Sequence, residues 1–298
     1  MNVNNKNPKV TKCVLWVAAL AIMAFPSIAS ADITWAAGAP GGTGGGSASF
    51  DQTAGPFTLS TGIVSDQLLS QRESQGGPAP AAGSDYTISY WFNRDGNTGE
   101  AWIIGSGDLG SGNFNTRGLH LGFNGAASNN LTQAHWSDDR TGSVLVSNTD
   151  WVHATYTFDA DGGTGGTTGL GSLYVNGVLD SQGDQSGAFR DDGSIIIGSR
   201  VGGQGPNYDG RIDDLAFFTS ALDATQVGTL FGDTTQALSL GAAAYYDFED
   251  DQTGTTAAVQ GTGLGAVALQ GITAVPEPSS LAIMLGLGVA GLTRRKRS

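Results

Sequence analysis

The sequence predicts an all-β protein made of many short strands joined by tight turns. Glycine is abundant, at 47 of 298 residues, and recurs between short apolar runs, which favours turns over helices. From Trp151 to Phe158 apolar and polar residues alternate, as in a strand with two different faces. Asn176-Gly177 stands between Val175 and Val178, and because both turn residues accept positive φ, a tight type I′ hairpin is expected.

The charge distribution argues against nucleic acid as a partner. All four Lys lie in the first twelve or last three residues, so residues 32–293 hold seven Arg and 27 acidic residues, a net charge of −20. A surface this acidic repels a phosphate backbone. Of the acids 23 are Asp, whose short side chains in Gly-rich turns suit turn capping, cation binding or simple solubility.

The first 31 residues read as a signal peptide. Three Lys precede the apolar run Val14 to Phe25, and Ala29-Ser30-Ala31 forms an A-x-A cleavage site, so the mature chain is expected to start at Asp32. Cys13 is the only cysteine and would leave with this peptide. The mature chain would then have neither a disulfide nor a Cys nucleophile.

Three segments resemble one fold family. Tyr86 to Phe92 alternates and ends in aromatic residues, Ile195 to Ile197 is closed by Gly198, and D-G-R-I-D-D starts at Asp209. With the hairpin, these resemble the laminin-G-like and pentraxin-like branch of the concanavalin A-type jelly rolls. The resemblance implies a two-sheet antiparallel jelly-roll sandwich over residues 32–270.

The regions on either side of this core carry weaker signals. Ala36 to Gly46 is rich in Ala, Gly and Pro and is expected to be a loop, while Ala48 to Asp51 and Phe57 to Leu59 could be short strands. Leu238 to Phe248 reads as one or two further strands. These either complete the sandwich or begin a truncated second repeat, and completion is favoured because a lone strand cannot bury its apolar face.

One short helix is predicted near residues 223–231. Asp223 suits the N-cap, and Gln226 stands at N3 as in a capping box. Leu222 and Val227 occupy the positions of a hydrophobic staple, and Gly232 is expected to close the helix at C′.

Residues 271–298 carry the most specific motif of the chain. Pro276-Glu277-Pro278 precedes the apolar run Leu281 to Leu292 and a basic end. This order resembles the PEP-CTERM sorting signal, which implies recognition by an exosortase and removal of the tail. The basic end would stay cytoplasmic. The apolar run has twelve residues, and a helix of that length, at about 1.5 Å per residue, is shorter than a ~30 Å hydrocarbon core, so a transient inner-membrane anchor is expected. A plain C-terminal membrane anchor is the alternative.

Catalytic motifs are not found in the sequence. Glycosidases on concanavalin-like folds carry two carboxylates on one strand as Glu-x-Asp-x-Glu or with one more spacer, and Glu249 has no second Glu within reach. His120, His135 and His153 are dispersed among strand-like residues, and His153 is interpreted as structural. No Ser elbow, H-E-x-x-H or phosphate loop occurs.

Calcium is the one cofactor that the sequence suggests. Asp159-Ala160-Asp161-Gly162-Gly163 could supply part of a site, and Asp108 lies near the position of an acidic loop that binds calcium in pentraxin-like relatives. The second acidic cluster of those relatives is replaced here by Ser199-Arg200-Val201. The same D-x-D-G-G residues are equally what a turn between two strands uses.

Three functions remain open at this point. The first is a non-enzymatic, exported protein of the cell envelope or extracellular matrix of a Gram-negative bacterium, whose module binds an extracellular polysaccharide or a surface protein. The second is a glycoside hydrolase or polysaccharide lyase on the same fold. The third is a purely structural envelope protein.

Overall fold

The structure is a computed structural model. It describes residues 33–39, 45–51, 59–64, 84–106, 118–125, 129–135, 138–164, 168–185, 194–199, 206–249, 256–261, 263–266, 269–270 and 272–273. Over these ranges the chain forms strands and one short α-helix, α1 (Ala224–Gly232). In chain order the strands are β1 (Ile33–Ala37), β2 (Gly46–Phe50), β3 (Leu59–Val64), β4 (Tyr86–Asn93), β5 (Ala101–Gly105), β6 (Leu119–Phe123), β7 (Asn130–His135), β8 (Asp139–Leu145), β9 (Val152–Asp159), β10 (Gly169–Val175), β11 (Val178–Gln185), β12 (Ser194–Ile197), β13 (Gly210–Phe218), β14 (Ala244–Tyr246), β15 (Thr256–Ala257), β16 (Leu269–Gln270) and β17 (Ile272–Thr273).

Two sheets face each other. The larger sheet has the order β11-β10-β9-β4-β13-β2-β1-β17, and β14 also pairs with β13. The smaller sheet has the order β3-β12-β5-β6-β7-β8, and β15 pairs with β16 separately. The strand pairs are antiparallel except β1 with β17. The predicted two-sheet antiparallel sandwich with one short helix is confirmed.

The alternation of the strands divides the core in two. On β13, Leu215 and Phe217 join the main core between the sheets, whereas Ala216 and Phe218 face the opposite side. There they form a second, smaller core with Val227 of α1. The larger sheet is therefore buried on both faces, which explains why strands such as β4 and β9 are buried almost throughout.

Two local motifs form as their residues predict. Asn176 and Gly177 have φ of 49° and 75°, as a type I′ turn between β10 and β11 requires. At the start of α1, the Asp223 side chain accepts from the backbone N–H of Gln226, and the Gln226 side chain accepts from Asp223 N–H at 3.0 Å. The expected capping box is confirmed.

The end of α1 differs from the prediction. Gly232 is still helical, and Asp233, in an extended conformation, is the C-cap, with its N–H donating to Thr229 O at 2.9 Å. A Gly at C′ is not needed, because the Asp233 side chain immediately begins a 3-10 turn by accepting from Thr235 N–H at 3.1 Å.

Two predicted boundaries were also wrong. The expected loop from Ala36 to Gly46 has its two ends in β1 and β2, where backbone pairing overrides the Ala/Gly composition. Of the strand expected at Phe57 to Leu59, only Leu59 lies in the described residues, and it belongs to β3. Between 238 and 248 only Ala244–Tyr246 is a strand, since Leu240 and Ala242 N–H groups bond within a turn. This strand pairs with β13 and so joins the larger sheet.

Candidate functional site

A pair of buried carboxyl groups lies at a bulge in β13. The pairing of β13 with β4 shifts between Asp213 and Ala216, and Asp214 has φ of 48°, in the left-handed region. Because β13 is buried on both faces, Asp213 and Asp214 are both buried at this bulge, with exposures of 0% and 1%. Bulges and left-handed residues often occur near functional sites, so this pair is the first candidate site.

Both oxygens of Asp213 accept hydrogen bonds from the backbone. Ala39 N–H donates to Oδ2 at 2.7 Å, and Asp214 N–H donates to Oδ1 at 2.8 Å. The Tyr245 hydroxyl donates to Asp214 Oδ1. A Cβ on Gly38 would lie 2.7 Å from Asp213 Oδ2 and 2.6 Å from the carbonyl oxygen of Gly46, so this approach requires glycine.

Glu249 binds the other end of the connection between β1 and β2. Its Oε1 accepts from Gly45 N–H at 2.6 Å and from Gly46 N–H at 3.2 Å. Asp213 therefore fixes the end of β1 and Glu249 fixes the start of β2. We call Asp213, Asp214, Glu249 and Tyr245 the acid cluster.

The pKa values in the acid cluster are strongly perturbed. Burial, and then the neighbouring charges of Asp214 and Glu249, raise the pKa of Asp213 to about 8, although its two backbone hydrogen bonds act in the opposite direction. Burial and the Asp214 charge also raise the pKa of Tyr245. The surroundings of Asp213 thus favour its protonated form.

The three histidines lie at separate places in the sandwich. His153, on the outer face of the larger sheet, is fully buried, and its Nε2 lies 2.9 Å from Ser89 Oγ. Its ring packs on Trp91 and Phe231, and burial lowers its pKa to about 3. His135 Nε2 lies 2.7 Å from the Tyr86 hydroxyl in the main core, and His120 packs on Trp102. These contacts support a structural role for His153.

A family profile described as the concanavalin A-like lectin/glucanases superfamily matches residues 73–228, just over half of the chain. The chain belongs to this superfamily. The match includes β4 to β13 and ends within α1. The laminin-G-like expectation, which was based on three segments inside this range, is confirmed.

A second profile, the PEP-CTERM protein-sorting motif, matches residues 274–297. The motif identifies an exported protein that is sorted to the cell envelope and implies recognition by an exosortase. Pro276, Glu277 and Pro278 fall inside the match but outside the residues that the structure describes. Ala29 and Ala31 of the expected signal cleavage site also lie outside the described residues. Within the described residues, no helix has the length and apolar character to span a bilayer.

Several solved structures share a similar sandwich. A Bacteroides ovatus protein described as carbohydrate-binding is 18% identical (65% of this chain, 53% of that one, TM-score 0.48), so this chain spans about half its length. Domain 4 of the GH43 extracellular arabinanase AbnA from Geobacillus stearothermophilus is 19% identical (67% of this chain, 82% of that one, TM-score 0.45). A heptameric SAP-like pentraxin from Limulus polyphemus is 16% identical (58% of this chain, 81% of that one, TM-score 0.37). Similarities of this degree carry no argument about ligand or activity. A search of curated proteins finds no match to this chain.

The superfamily domain places Asp159 and Asp161 together in a turn. Asp159 Oδ1 accepts from Asp161 N–H at 3.1 Å, and the Asp159 carbonyl accepts from Gly162 N–H at 3.2 Å. Asp108, the third predicted calcium ligand, lies outside the described residues. Among the residues that are described, no three His, Cys, Asp or Glu side chains are grouped as a metal site requires. Calcium binding stays a prediction.

Sequence reasoning missed a surface on one side of the sandwich, where β8 and β11, the edge strands of the two sheets, lie side by side. Asp180 Oδ1 on β11 accepts from the N–H groups of Ser143 and Val144 on β8, at 2.9 and 3.0 Å. Each of these two strands carries two exposed aliphatic residues, and we call the four of them the side patch: Val144 (42% exposed), Leu145 (74%), Val178 (69%) and Leu179 (46%). No sequence signal marks it, because the strands are distant in sequence.

The raised pKa of Asp213 predicts a stability that falls with pH. The folded state holds this proton up to about pH 8, whereas an unfolded Asp loses it near pH 4. The stabilisation is complete below about pH 4 and is lost as the pH rises to about 8, with a slope of up to ~1.4 kcal/mol per pH unit. Asp213→Asn should remove this slope in urea unfolding, while exposed Asp161→Asn should keep it. A wild-type slope in the Asp213 variant would contradict the prediction.

The lowered pKa of His153 predicts the opposite trend in acid. The folded state excludes a proton that an unfolded His binds below about pH 6.5, so stability is lost as the pH falls from 6.5 towards 3. His153→Phe should remove the uptake of about one proton on unfolding, which lowers the slope of stability against pH by up to ~1.4 kcal/mol per pH unit. Urea unfolding at pH 4 to 7 measures the difference, with His120 and His135 left in both proteins. Parallel curves for the two proteins would show that His153 is not the group responsible.

If calcium binds at Asp159 and Asp161, millimolar calcium should raise Tm. The gain by linkage is about 2.7 kcal/mol at a hundredfold excess over Kd. Asp159→Ala should lose most of the shift, although it also removes a hydrogen bond of the turn. Differential scanning calorimetry with magnesium and with sodium at matched ionic strength provides the control. Equal shifts in all three salts would mean that these acids only solvate the surface.

Proposed function

We propose that this chain is a non-enzymatic protein of the cell envelope or extracellular matrix of a Gram-negative bacterium, with a sandwich domain that binds polysaccharide. The observation that carries the proposal is the combination of a lectin/glucanase-type domain and a sorting motif in one chain. The domain supplies a binding module, and the motif delivers it to the surface, where polysaccharide is available. The contact of the tail with the inner membrane is then transient.

The geometry of the acid cluster argues against hydrolysis at this place. A glycosidase needs one carboxyl with a raised pKa and a second carboxylate, both open to the sugar. Asp213 has the raised pKa, but its side chain is wholly buried and both oxygens accept backbone N–H groups. The hydrogen bond from Ala39 N–H lets Asp213 hold the end of β1. A hydrolase or lyase on the same fold is the alternative to test.

The test uses protein purified from its native host. A polysaccharide array should show binding to at least one extracellular polysaccharide, and incubation with the bound polysaccharide should release no reducing ends or unsaturated products. Release of either product would overturn the non-enzymatic proposal. An array without any bound polysaccharide would instead favour a protein partner or a purely structural role.

The side patch favours a surface protein as a second candidate partner. Clustered exposed aliphatic residues mark contact surfaces more often than isolated ones do. Leu145→Ser with Val178→Ser should weaken retention of the protein in the envelope, because the aliphatic contact is lost. Leu238→Ser is the control, since Leu238 is an exposed leucine (42%) that lies after α1, outside the patch. Equal retention of both variants would argue against a role for the patch.

Both ends of the chain should be removed during export. With cleavage after Ala31 and removal of the sorting tail, intact-mass measurement on envelope protein should find neither the signal peptide nor the basic end, and the domain proposed for residues 32–270 would remain. Recovery of envelope protein that keeps Arg294 to Arg297 would contradict removal of the tail.

A further inference from the structure

The first and last strands of the described residues meet at one edge of the larger sheet. β1 and β17 pair in parallel, with Ile33 opposite Ile272 and Thr34 opposite Thr273. β17 is the last strand at this edge. On its other side β1 pairs with β2 over five residues, from Ile33–Phe50 to Ala37–Gly46. β1 is thus held firmly on one side and itself holds the C-terminal strand on the other.

The sorting motif begins where this strand ends. The match starts at residue 274, immediately after Thr273, and Pro276 follows three residues after the strand. Upstream, Leu269 is completely buried in the main core, and β16 pairs with β15. Only a few residues therefore separate the buried chain from the motif, and two of them are paired with β1.

Enzymes that act on a peptide segment generally require it to be released from the folded body, by local opening if necessary. We propose that β17 must separate from β1 before the sorting enzyme can process the tail, so that the pairing of β1 with β17 controls access to the motif. This rests on the proposed sorting function. β17 is suited to the role because it is two residues long, lies at an edge and pairs in parallel, the less stable arrangement.

The register provides a direct test. Ile33→Cys with Ile272→Cys places two cysteines opposite each other in a chain whose only cysteine, Cys13, lies in the signal peptide. The exported compartment is oxidising, so the pair can form a disulfide there. In the native host, intact mass over time should show tail removal slowed at least several-fold in the cross-linked chain. Each single Cys variant should be processed at the wild-type rate.

A linker separates loss of access from misfolding. About eight Gly and Ser residues inserted between Thr273 and Ala274 span more than 20 Å when extended, and should restore processing in the cross-linked chain. Processing of the cross-linked chain at the wild-type rate would overturn the proposal, as would failure of the linker to restore it. Failure of the disulfide to form would overturn it as well, because the register requires that these residues are neighbours. A wild-type chain that keeps its tail would instead refute the sorting function itself.

Discussion

The sandwich depends on β13, a strand that is paired along both edges and buried on both faces. It pairs with β4 on one side and with β2 and β14 on the other. Leu215 and Phe217 fill the space between the sheets, while Ala216 and Phe218 provide the surface on which α1 packs. The helix, the second core and the late strand β14 are all positioned by this strand. Because a shift of one residue would exchange its faces, the register of β13 fixes which core each neighbour joins.

The double burial of β13 is costly at its bulge, where two acids stand next to each other. Two consecutive acids in a strand buried on both faces must be buried as well, and a buried charge is costly unless it is paired or neutralised. Burial raises the pKa of Asp213, which favours its neutral form, and its oxygens accept from the N–H groups of Ala39 and Asp214, while Asp214 accepts from the Tyr245 hydroxyl. The left-handed conformation at Asp214 is the local cost of this arrangement.

Features written in short sequence patterns were predictable. The alternation in β4 and β9, the Asn176-Gly177 turn and the Asp223–Gln226 capping box follow from local stereochemistry, and the superfamily follows from three such segments together. The acid cluster was not predictable, since Asp213-Asp214 reads as a polar turn unless the bulge is known. It joins residues from 39 to 249 that only the sheet order brings together. The side patch was not predictable for the same reason. The strand β17 was not predictable because two residues are too few to show an alternation of apolar and polar side chains.

The order of strands also bears on how an exported chain can fold. The partners in β1 and β17 are separated by more than 200 residues, so their pairing can form only after the intervening sheet exists. In a chain exported from its N-terminus, β1 enters the new compartment first, and its outer edge stays unpaired until β17 follows. The glycine-rich connection fixed by Asp213 and Glu249 lets β1 fold back on β2, so that one edge of β1 is already satisfied. The strand that leads directly into the sorting motif then pairs with the first two residues of the other edge, Ile33 and Thr34.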